Sequence, residues 1–120
     1  MKGVATTPAV RLTVIVGRSA HYHHHSVAAE VVRLARRTGL AGATVLAGVE
    51  GYGSSHQLHR ASTGSPAWTV SYVVVVVDSA EAVARFEERL GPVLAGRGVH
   101  FSEQVERLSR PDAADAGGDR

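Results

Sequence analysis

The sequence predicts an α+β domain of order βαββαβ, on three observations. Four stretches read as strands, and two of them, 10–17 and 67–79, are rich in β-branched residues, which suit a pleated, half-buried surface. Two further stretches repeat apolar residues at helical spacing, with charge on the opposite side. The two kinds of segment follow one another so that each helix lies between strands.

The elements follow in order. VRLTVIVG, residues 10–17, is dominated by β-branched residues and ends in glycine, as a strand does. From Ser26 to about Arg37, the residues Val27, Val31, Leu34 and Ala35 recur at helical spacing. Gly39 suits the helix C-cap, and Arg36 and Arg37 put cations in the last turn, where the helix dipole favours them. AGATVLAGVEGYG, 41–53, is the second strand and closes in glycines. GSSHQLHRASTGSP, 53–66, is polar and rich in glycine and serine. Loops of that length inside a domain are usually functional or mobile.

AWTVSYVVVVVDS, 67–79, is the third strand. Asp78-Ser79-Ala80-Glu81 matches a capping box, with Asp78 as N-cap and Glu81 at N3. The helix that follows carries Val83, Phe86, Leu90, Val93 and Leu94 on one face, and Pro92 is expected to end or kink it. Gly96-Arg97-Gly98 is a turn, and VHFSEQVERL, 99–108, is the last strand. Residues 1–9 are expected to be a loose leader and 109–120 a disordered tail. One domain, 10–108, remains.

This order is the split βαβ, or ferredoxin-like, pattern. Its right-handed crossovers put both helices on one face of a four-stranded antiparallel sheet. The run Val73–Val77 then poses a problem. Side chains alternate faces along a strand, so valines must also point to the face without helices. An apolar patch of that size marks an interface, and homo-oligomerisation through the open face is expected.

Composition narrows the chemistry. The chain of 120 residues has no cysteine, which excludes disulfides, thiolate zinc sites and cysteine nucleophiles. The net charge of +2 is small and the basic residues are scattered, which is not the footprint of a nucleic-acid binder. Lys2 is the sole lysine, so a phosphate site would use arginine or backbone N–H groups. No apolar run is long enough to span a bilayer, and no targeting segment is evident. A soluble cytoplasmic protein is expected. No nucleophile–base pattern is recognisable, and a non-enzymatic role is expected.

Two motifs carry candidate chemistry. HYHHHS, 21–26, sets His21, His23, His24 and His25 just before the first helix. Helix entry with Ser26 as N-cap is favoured over a metal site. Neighbouring histidines point in different directions, and no carboxylate stands beside them to complete a shell. GVEGYGSS, 48–55, ends a strand and lacks the Gly-Lys-Ser/Thr of a phosphate-binding loop. On spacing alone Gly48, Gly51 and Gly53 fit a bulge or strand exit. The alternative is close approach of a ligand or a neighbouring chain to bare backbone. Glu50 lies within this segment and could face solvent, pair with an arginine, or contact a ligand. His56 and His59 lie in the loop beyond.

The run Gly39-Leu40-Ala41-Gly42-Ala43-Thr44-Val45-Leu46, followed by Gly48-Val49-Glu50-Gly51-Tyr52-Gly53, resembles the domain-of-unknown-function 190 family of PII-like proteins. That family typically carries GIAGATVLRGIEGFG and then a loop with a histidine near its end. Ala47 stands where arginine is common, and His59 falls where the loop histidine is expected. Tyr22 to Val31 resembles the family's first-helix entry, with Ser26 in place of proline and Glu30 matching the helix glutamate.

The resemblance covers roughly residues 11–105 and implies a ferredoxin-like fold assembled as a homotrimer. It further implies a regulatory protein that binds a small-molecule effector, an adenine nucleotide being the candidate, between subunits. The cleft would be formed by Gly48, Glu50, Gly51, Gly53 and His59 with the turn around Arg97. Loop 53–66 would contact a protein partner such as a membrane transporter or channel. The alternative is a metal-responsive trimer similar to CutA-type proteins, using His21, His23, His24 and His25 with His56 or His59.

Overall fold

The structure, a computed structural model, describes residues 5–48, 50–51, 59–60 and 70–109. Four strands form one antiparallel sheet: β1 (Ala5–Gly17), β4 (Thr44–Gly48), β7 (Ser71–Asp78) and β8 (Val99–Ser109), in the order β4-β7-β1-β8. Helices α1 (Val27–Thr38) and α2 (Ala80–Leu94) cover one face. Two short ladders complete the fold. β2 (His21–Tyr22) pairs with β3 (His25–Ser26), and β5 (Glu50–Gly51) pairs with β6 (His59–Arg60). The expected ferredoxin-like order is therefore present.

Alternation places the core. Leu12, Val14 and Val16 of β1 and Val74 and Val76 of β7 point toward the helices. There they meet Val27, Val31 and Leu34 of α1 and Val83, Phe86 and Leu90 of α2. Each such side chain contributes about 1.5–3 kcal/mol on burial.

Ser26 caps α1, its Oγ accepting from the Ala29 N–H at 3.1 Å, and Gly39 closes the helix in the left-handed conformation. The cap of α2 lies one residue later than the capping-box pattern predicts. Ser79 is the N-cap and accepts from the Ala82 N–H at 3.1 Å. Asp78 remains the last residue of β7 because its carboxylate is engaged elsewhere: it accepts from the Ser79 N–H at 2.7 Å and the Ala41 N–H at 2.9 Å. It thereby fastens the α1–β4 connection to the end of β7.

Two more expectations are corrected. α2 continues past Pro92 to Leu94. Proline at that position removes a bond only to the carbonyl of Glu88, an exposed residue near the helix end. Residues 5–9, expected to be a loose leader, are the first part of β1. They pair with residues 105–109 of β8 as a two-stranded ribbon beyond the reach of β7. The tail from residue 110 lies outside the described residues.

The face away from the helices is apolar. Its cross-strand rows are Leu46–Val73–Ile15–Val99 and Thr44–Val75–Thr13–Phe101. Leu46, Val99 and Phe101 remain 54%, 60% and 46% exposed. The edge strand β8 turns Val99, Phe101 and Val105 to this face and His100, Ser102, Gln104 and Glu106 to the helix side. An Arg11–Glu103 ion pair borders the apolar rows.

Candidate functional site

The glycine segment leaves the sheet from its edge strand. Gly48 ends β4 opposite Ser71, and its carbonyl accepts from the Val70 N–H at 2.7 Å. A Cβ at Gly48 would lie 2.4 Å from the Ser71 Oγ and 3.6 Å from its carbonyl oxygen, so a side chain here would require the Ser71 hydroxyl to turn away. Beyond it, the backbones of Glu50 and Gly51 pair with Arg60 and His59. The ladder brings together three of the residues singled out from sequence, Glu50, Gly51 and His59. Gly53, His56 and most of loop 53–66 lie outside the described residues.

Arg97 stands elsewhere. It follows α2 in a turn flanked by Gly96 and Gly98, both at positive φ. Gly98 is required by two constraints: its φ is +73°, and a Cβ would come within 2.3 Å of the Ile15 carbonyl oxygen. The Arg97 guanidinium donates from Nε to the Leu94 carbonyl at 3.1 Å, from Nη2 to the Val93 carbonyl at 3.2 Å, and from Nη1 to the His21 carbonyl. It ties the end of α2 to β2. A guanidinium has five N–H donors, so two remain beyond these three bonds.

Among the described residues, two ends of the expected cleft, Gly48 and the Arg97 turn, stand apart within one chain. Gly48 lies on edge strand β4 and Gly98 precedes the opposite edge strand, β8, at the same end of the sheet. Three strand spacings of about 4.8 Å separate these edges, roughly 14 Å.

The structure does not assemble the alternative metal site. Among the described residues no group of three or more histidine or acidic side chains is placed to hold an ion. The hairpin explains why. His21 pairs opposite Ser26 and His25 opposite Tyr22, so His21 and His25 point to opposite faces. The His21 Nδ1 faces the Ser19 carbonyl at 2.6 Å, and the His25 Nε2 faces Arg33 Nη1 at 2.6 Å. His23, at the tip with φ of 57°, packs edge-on against the Tyr22 ring. The helix-entry assignment of Ser26 holds, with a small hairpin built in front of it.

A groove of about 420 Å³, lined by residues including Pro8, Val10, Ala80 and Glu106, lies at the other end of the sheet. It contains none of the candidate residues. Sequence reasoning missed Ser71 and Arg33, and gave Asp78 a capping role in place of its bond to the Ala41 N–H. Ser71 and Asp78 act through Gly48 and Ala41, partners distant in sequence, and no local pattern marks such a role.

No curated protein matches the chain. Among solved structures it is similar to CPII, a nitrogen regulatory PII-like protein from Thiomonas intermedia K12, bound to ADP, AMP and bicarbonate. Identity is 20% and the TM-score 0.67, over 89% of this chain and 93% of that one. The apo form of CPII aligns at 18% identity and a TM-score of 0.62, over 90% and 99% of the two chains. A putative PII-like signalling protein from Thermus thermophilus aligns at 16% identity and 0.58, over 92% and 94%. At these identities the likeness is one of fold. The model of the DUF190 family, described as Uncharacterized ACR, matches residues 9–107. With that match over most of its length and a PII-like fold beneath it, the chain belongs to the DUF190 family.

Proposed function

We propose that this protein is a non-enzymatic, homotrimeric PII-like regulator that binds an adenine nucleotide between subunits. The observation that carries the reading is the separation of the glycine segment from the Arg97 turn onto opposite edges of one sheet. A ligand that uses both must sit where the β4 edge of one copy meets the β8 edge of another. The apolar rows on the open face supply the surface for that association. The fold neighbour CPII, bound to ADP and AMP, supplies the ligand class.

In this reading the bare backbone of Gly48, Gly51 and Gly53 admits the ligand, with Glu50 and His59 beside it. Arg97 offers its two remaining N–H groups to phosphate. Loop 53–66 carries the signal to a protein partner, such as a membrane transporter or channel. Among the described residues no helix is long and apolar enough to cross a membrane, so the partner would supply any membrane-spanning part. Isothermal titration with ATP, ADP, AMP and cyclic AMP tests the ligand. Saturable heat from at least one of them is expected, and no heat from any removes the nucleotide reading.

A further inference from the structure

The four histidines of the hairpin are not equivalent in what they ask of a proton. The His21 Nδ1 faces a carbonyl oxygen, which only accepts, so His21 donates there whether neutral or protonated. The His25 Nε2 faces the guanidinium of Arg33, which only donates. His25 must therefore be neutral, with its proton on Nδ1, for that bond to exist. His25 also immediately precedes Ser26, the cap of α1, so the bond fastens the second strand of the hairpin to the helix it introduces.

We propose that the hairpin 21–26 is held to α1 by a proton-operated latch, His25 to Arg33. In the neutral form the imidazole accepts from Arg33. On protonation Nε2 becomes a donor, the bond is lost, and two cations face each other. Arg33 has a second partner ready: its Nη1 lies 4.0 Å from the Glu30 carboxylate, which Arg37 also holds at 3.2 Å. Freed from His25, Arg33 turns to Glu30 at no further cost in pairing.

The other charged and titratable groups around the latch favour the same direction. β2 contributes His21 and Tyr22, the tip contributes His23 and His24, and Arg97 reaches β2 from the end of α2. The acidic group beside the latch is Glu30, which faces Arg33 from the first turn of α1. After release the hairpin keeps its two-residue ladder and the Arg97 bond to the His21 carbonyl. The latch is closed while His25 is neutral and open once it is protonated. The inference concerns the hairpin alone and holds whether or not the neighbouring cleft takes a nucleotide.

Hydrogen exchange of the amides of residues 21–26 tests it, at about pH 5 and about pH 8, as protection relative to an unstructured chain at each pH. The wild type is expected to lose protection several-fold at the lower pH. His25→Gln keeps an acceptor oxygen but does not titrate, and is expected to stay protected at both. Arg33→Met is expected to be weakly protected at both. Equal protection of the wild type at the two pH values overturns the latch. So does an unchanged pH dependence in His25→Gln, which would assign the effect to another histidine. Nitrogen NMR of the neutral form gives a second check, since a proton on the His25 Nε2 contradicts the proposed bond.

Discussion

At the scale of single residues, Gly98 and Arg97 each engage a partner far along the chain, and Arg97 also holds the helix end beside it. Gly98 touches the Ile15 carbonyl, and Arg97 holds the carbonyls of Val93, Leu94 and His21. Gly98→Ala forces a side chain into positive φ and against backbone. It is expected to cost about 1–3 kcal/mol, measured as a lower urea midpoint at unchanged slope. Arg97→Ala removes the donors to three carbonyls and is expected to cost about 1–3 kcal/mol by the same measurement. Arg97→Lys, a point donor without the planar fork, is expected to recover only part of that loss. The sequence marked Arg97 because glycines flank it. It could not show that most of the guanidinium's reach is spent on the protein's own backbone, since that depends on where β2 folds.

At the scale of elements, periodicity made the helices and the four long strands legible, while their ends depended on competing partners. Ser26 and Gly39 bound α1 as their residue types predict. Asp78 and Ser79 are both good caps, and the pattern could not decide between them. Asp78 is drawn away by the Ala41 N–H, a contact across 37 residues. Ser79→Ala is accordingly expected to destabilise the protein by about 1 kcal/mol through α2. Asp78→Ala is expected to leave the helix intact but speed amide exchange at Ala41. Equal effects of both on exchange in the first turn of α2 would contradict this assignment. The two-residue ladders β2–β3 and β5–β6 were not legible, because pieces so short carry no periodicity to detect.

At the scale of the whole molecule, the valine run of β7 was the clearest signal, and the structure gives it a counterpart in β8. That strand turns Val99, Phe101 and Val105 away from the helices. Leu46, Val99 and Phe101 stay exposed on that face, and Gly48 and the Arg97 turn stand at opposite edges of the sheet, the two observations on which the proposed assembly rests. The sequence made one half of the candidate site visible through GVEGYG, but not its distance from the other half, which only topology sets. Phe101→Asp puts a charge among the apolar rows at the β8 edge of the open face and is expected to yield folded monomers of about 12.6 kDa by sedimentation, against trimers for the wild type. The central claim, a ligand site shared between copies, is tested most directly by titrating ADP into both proteins. Saturable binding to the wild type and none to the folded Phe101→Asp monomer is the predicted result. Equally tight binding to that monomer would contradict it.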